Sequence, residues 1–186
     1  MKNVIHFLIF LAFLSKATTV SAQSFQRKDI VLSTIIPDNL SGRYNIGLEY
    51  FLTDKKDNNY ISVALNGGVT SFNQLNQNIR GLNFILETNI YSDHYFLKKN
   101  LNDFGGLKIS YGNLNNQTLR TKNNSYFIGI TTGIQPLIAK KIVLKINSDI
   151  GYAKNGCTRI GSFQNQDKIL YSGFTVNFNI GLGIRL

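Results

Sequence analysis

The chain has 186 residues, 43% hydrophobic and 16% charged, with a formal net charge of +10. That is enough for one domain, too apolar for disorder, and too evenly polar for a bundle of membrane helices. One Cys and two His exclude a disulfide framework and a multi-ligand Cys/His metal site within the chain, so no metal and no cofactor is expected.

Lys2 opens the chain with positive charge, Val4 to Leu14 form an apolar core, and the following TTVSAQ places Val20 and Ala22 at the spacing signal peptidase reads. Residues 1–22 are therefore expected to be a signal peptide, cleaved after Ala22, and residues 23–186 a single barrel domain. An apolar run of about eleven residues is too short to span hydrocarbon as a helix, which needs about 20. No Cys follows the cleavage site, so a lipoprotein is not expected. Removing Lys2 and Lys16 leaves a basic exported chain, and a lone Cys suits an oxidising compartment.

The rest reads as eight strands of alternating pattern, as 16 Gly, 13 Phe and 9 Tyr against two Pro would suit. The first, about Asp29 to Ile36, is irregular. The second sets Tyr44, Ile46, Leu48 and Tyr50 against Arg43, Asn45, Gly47 and Glu49; the third sets Ile61, Val63, Leu65 and Val69 against Ser62, Ala64, Asn66, Gly68 and Thr70. In the fourth, Leu82, Phe84, Leu86 and Ile90 oppose Asn83, Glu87 and Asn89, and in the fifth Leu107, Ile109 and Tyr111 oppose Lys108, Ser110 and Gly112. The sixth has Tyr126, Ile128, Ile130 and Ile134 against Gly129, Thr131, Gly133 and Gln135. The seventh has Ile142, Leu144, Ile146, Ile150 and Tyr152 against Lys145, Asn147, Asp149 and Gly151, with Val143 and Ser148 on the wrong sides. The eighth alternates without a break from Phe174 to Leu186. Turn-rich segments at 37–42, 53–59, 72–78, 92–103, 113–124, 136–140 and 154–170 separate them. The spacing suits strands of roughly 9 to 11 residues.

Alternation alone does not say which face is wet, because a soluble lipocalin-like barrel and a membrane barrel share the period of two. The polar set decides in favour of the membrane: it is rich in Gly, Ser, Thr and Asn with charges of both signs, which fits a narrow lumen better than a Lys- and Glu-rich water-facing surface. The apolar set suits lipid. The expected fold class is all-β: an eight-stranded antiparallel up-and-down transmembrane barrel in the outer membrane of a Gram-negative bacterium.

The stretches GRYNIGLEYFL, NFILETNIYSDHYFLKKNLNDFGGLKISYG, GIQPLIAKKIVLKINSDIGYA and the closing NIGLGIRL resemble the small outer-membrane β-barrel proteins common in Bacteroidetes. The similarity covers most of residues 23–186. It implies an eight-stranded barrel and carries no catalytic signature.

The inward set holds Arg43, Glu49, Glu87, Lys108, Lys145, Asp149 and Arg185. Unpaired charges in a lumen wide enough only for side chains would each cost several kcal/mol, so a mixed-sign network is expected. A filled lumen gives a substrate no access to paired carboxylates, and no catalytic residue is assigned. A barrel-embedded lipid A-modifying enzyme is the alternative; it would need His94, the one His outside the signal peptide, which falls in a loop beside Ser92 and Asp93. Arg120, Lys122, Lys154, Arg159 and Lys168 fall in the two longest outward loops, where they are candidates to contact lipopolysaccharide phosphates, solvated lysines being the plainer alternative. Cys157 lies in the longest loop as an incidental thiol. The expected partners are outer-membrane lipids, lipopolysaccharide and the barrel assembly machinery, with no nucleic acid. The expected role is non-enzymatic: envelope integrity or presentation of surface loops. A soluble periplasmic ligand-binding barrel remains the other alternative.

Overall fold

The computed structural model describes residues 27–35, 43–53, 59–74, 77–92, 101–138, 141–159 and 168–186. Eight strands are present: β1 (Ile30–Ile35), β2 (Arg43–Phe51), β3 (Asn59–Gln74), β4 (Gln77–Ser92), β5 (Asp103–Asn116), β6 (Thr121–Ile134), β7 (Ile142–Arg159) and β8 (Lys168–Arg185). Each pairs antiparallel with its sequence neighbour, and β1 pairs with β8 to close a barrel. Closure runs from Val31 opposite Arg185 to Ile35 opposite Gly181.

The alternation falls as the polar set suggested. Asn45, Glu49, Asn66, Glu87, Asn89, Lys108, Thr131 and Asp149 are buried in the interior, while the opposite face carries a belt of exposed apolar side chains, to 73% at Ile46 and 82% at Phe174. This polarity is the reverse of a water-soluble protein, in which a contiguous apolar surface rarely exceeds a few hundred Å². On β4 the exposed apolar positions run from Leu82 to Ile90. At the rise of an antiparallel strand and a tilt of about 40° they cover a height of roughly 20 Å.

The strands are longer than the alternation indicated. β5 and β6 continue through most of 113–124 and leave only the turn 117–120, and β7 runs on to Arg159, so Cys157 is a strand residue opposite Asn123. Residues 72–74 and 77–78, read as turn, also belong to the ladder. Above the apolar belt both faces of these strands are polar, so the ladder persists where alternation stops. Arg120 closes the β5–β6 turn at φ 50°, and Leu119 N–H donates to Asn116 Oδ1 at 3.0 Å. Of the expected connections at 37–42, 53–59, 92–103, 136–140 and 154–170, residues 37–42, 54–58, 93–100 with Asp93 and His94, 139–140 and 160–167 lie outside the described residues.

The two ends of the barrel differ. At the end holding the start of β1 and the end of β8, an apolar plug of Val31, Phe51, Tyr60, Tyr91, Phe104, Leu137 and Val143 fills the interior. Tyr60 and Tyr91 stack with ring centroids 4.9 Å apart, and Phe51 and Phe104 tilt against Tyr91 at 5.3 Å each. Val143, on the wrong side of a simple alternation, faces inward here because the plug needs it. The opposite end carries the turn between β5 and β6 and the Gln74–Gln77 end of the β3–β4 ladder.

Candidate functional site in the barrel lumen

Above the plug sits Glu49, with no described lysine within ion-pair distance. It accepts hydrogen bonds from Ser62 Oγ, from Tyr91 OH at 2.6 Å and from Asn89 Nδ2 at 3.2 Å on one oxygen, and from Gln135 Nε2 at 3.0 Å on the other. Four donors arranged around one carboxylate replace the water it gives up on burial. The one Tyr91 hydroxyl proton is shared between Glu49 Oε1 and Gln135 Oε1, each 2.6 Å away, and ties the plug to the polar layer above it.

One step further along the strands lies a chain of ion pairs. Lys145 Nζ is 2.6 Å from Glu87 Oε2, Lys108 Nζ is 3.3 Å from Glu87 Oε1, and Lys108 Nζ is 2.6 Å from Asp149 Oδ2. Asn147 and Asn179 donate to the two oxygens of Asp149 at 2.8 and 2.7 Å. Lys145 also lies 5.0 Å from the centre of the Phe104 ring, within cation–π range. Glu87 and Lys108 are directly opposite on β4 and β5, and the same row continues through Gly129 on β6 to Gly151 on β7. Those two glycines let the β6 and β7 backbones close to contact, and the Phe127 ring lies over Gly129.

Of the seven charged residues read as inward, Glu87, Lys108, Lys145 and Asp149 are thus joined in one chain and Glu49 stands beside it among neutral donors. Arg185 is elsewhere: its Nε pairs with Asp29 Oδ2 at 2.9 Å at the plugged rim. It is four residues along β8 from Gly181, the partner of Lys145, or roughly 13 Å away. The side chains of Arg43, Arg159 and Lys168 lie outside the described residues. Arg120, Lys122 and Lys154 are exposed, the first on a turn and the other two on strands. Ser62, Asn89, Tyr91 and Gln135 were not anticipated as a carboxylate site. Their polar atoms were visible in the sequence, but their convergence depends on how the barrel closes.

The space left among these groups is a cavity of about 30 Å³ lined by Glu49, Asn66, Glu87, Lys108, Lys145 and Asn179, among others. It has room for about two water molecules and no more. An aromatic plug lies on one side of this space, and the inward-facing Ile85 and Phe127 lie on the other. The chemistry the arrangement supports is structural: paired charges that fix strand register from inside. No group of three or more metal-binding side chains occurs among the described residues. Purified protein in planar bilayers is expected to give no steady conductance on the nanosiemens scale; a reproducible pore of that size would contradict a closed lumen.

No protein-family model matches the chain, and no curated protein matches it.

Proposed function

We propose that this chain is a non-enzymatic barrel of the Gram-negative outer membrane, with a closed polar lumen, that contributes to envelope integrity or presents its hairpin end to surface partners. One observation carries the reading: a contiguous belt of exposed Ile, Leu, Val, Phe and Tyr surrounds an interior of amides and paired charges. Such a belt is favourable against lipid and unfavourable against water, since each Å² of apolar surface left in water forgoes about 25 cal/mol. A lipocalin-like barrel would need the opposite polarity. The resemblance to Bacteroidetes outer-membrane barrels and the signal-peptide pattern of residues 1–22 support the same reading. On this reading its partners are outer-membrane lipids, lipopolysaccharide and the assembly machinery that inserts barrels.

Fractionation of cells that express the full chain tests this. The protein is expected in the outer-membrane fraction, resistant to an alkaline carbonate wash, and faster on unheated than on heated gels. Recovery in the soluble periplasmic fraction without detergent would establish the ligand-binding alternative instead.

A further inference from the structure

On the outside of the barrel, the register of β4, β5 and β6 stacks four kinds of side chain in order. At the hairpin end Arg80 stands opposite Asn115, which stands opposite Lys122. One level down, Leu82, Asn113 and Asn124 form a row, and Asn113 Nδ2 donates to Asn124 Oδ1 at 3.0 Å and to Tyr111 OH at 3.3 Å. Next come Phe84, Tyr111 and Tyr126, the two tyrosine rings 5.1 Å apart, and below them Leu86, Ile109 and Ile128. Arg80 and Lys122 are exposed and sit two strand spacings apart, roughly 10 Å. A shallow open groove bounded by Val69, Ser71, Arg80, Leu82 and Asn115 joins the cationic level to the apolar one. From the level of Ile90 up to Arg80, no acidic side chain faces outward on these three strands.

We propose that this face binds a phosphorylated glycolipid, with Arg80 and Lys122 on its phosphate charge, the asparagine row on its sugar, and its acyl chains along Leu82, Phe84, Leu86 and Ile109. The inference rests on the membrane reading above. The order cation, carboxamide, aromatic, aliphatic matches the order of groups along such a lipid, from charged headgroup to hydrocarbon. Its positive charge, unopposed by any acid on the face, selects an anion over a second copy of the same face, which would repel it. The carboxamide row favours a sugar-bearing lipid over a simple phosphodiester, because a sugar offers amides more hydroxyl and amide partners, spread over a wider area, than a small headgroup does.

The test uses the purified full chain, delipidated and floated with phosphatidylcholine vesicles that contain lipid A, enzymatically dephosphorylated lipid A, or phosphatidylglycerol, with co-purified lipid quantified by native mass spectrometry. Lipid A is expected to be retained in clear preference to both others. Arg80→Ala and Lys122→Ala should each weaken that retention roughly fivefold while the heat-shifted gel band stays as in the parent. Equal retention of the dephosphorylated form, equal retention of phosphatidylglycerol, or variants that retain lipid A like the parent would overturn the site. A chain that floats with every vesicle yet shows no preference defeats this inference alone; one that floats with none defeats the membrane reading, and the inference with it.

Discussion

Glu87→Ala is expected to lower barrel stability by about 3 to 5 kcal/mol, because it removes the carboxylate that both lumen lysines contact. Lys108 keeps Asp149 at 2.6 Å, so the main loss falls on Lys145, a largely buried ammonium that keeps the Phe104 ring and the more distant charges of Glu49 and Asp149 but loses its ion-pair contact. If the penalty comes from a stranded cation, removing the cation as well should restore most of the stability. Glu87→Leu combined with Lys145→Met should therefore be more stable than Glu87→Ala, although it changes more of the interior. Ile146→Val, on the exposed apolar face, should cost well under 1.5 kcal/mol, roughly the most that such a truncation costs in a core. Urea titration in detergent micelles, followed by the heat-sensitive gel shift, measures all three. A Glu87→Ala barrel with the parent midpoint would show that the ion pairs contribute nothing to closure.

The second large effect is steric. Gly129 and Gly151 face one another on β6 and β7, and a Cβ at Gly151 would press on the Ile128 carbonyl oxygen and the Gly129 Cα. Backbone cannot yield as a flexible side chain does, so Gly151→Val should force the two strands apart in the middle of their ladder. A cost of about 3 kcal/mol or more is expected, at the upper end of what overpacking causes, with little or no folded species on unheated gels. Gly105→Val is the matched control: Gly105 is exposed on β5 with nothing within 4 Å of a new Cβ, so the change should stay within about 0.5 kcal/mol. Equal behaviour of the two variants would mean that the β6–β7 contact is not tight.

How far these features were legible follows from what each depends on. The eighth strand was readable from Phe174 to Leu186 because one side of it is apolar at every step and the other is not. The upper parts of β5, β6 and β7 were not, because Asn, Lys and Thr on both faces look the same whether the backbone is paired or turning. The plug left a faint signal: apolar doublets such as Tyr50–Phe51 and Val143–Leu144 break the period there, although Phe84–Ile85 and Tyr126–Phe127 break it elsewhere too. That Glu87, Lys108, Lys145 and Asp149 face inward was readable; who pairs with whom was not. Lys145 and Glu87 are 58 residues apart in sequence, and Glu49 and Gln135 are 86 apart. Those partners are set by the curvature of the closed sheet, which periodicity does not encode.

The strand order also shapes how such a barrel forms. Seven of the eight pairings join strands adjacent in sequence, so each can zip from its own hairpin at a small cost in chain entropy. The eighth brings Val31 against Arg185 and covers five residue pairs among the described residues. Closing so long a loop carries the largest entropic penalty of any single contact in the fold, and few hydrogen bonds offset it until the register is found. The Arg185–Asp29 pair lies beside that seam. The meeting of the first strand with the last is therefore expected to be the step that costs most chain entropy, and the charge pair at the rim bears on that seam rather than on the hairpins within the ring.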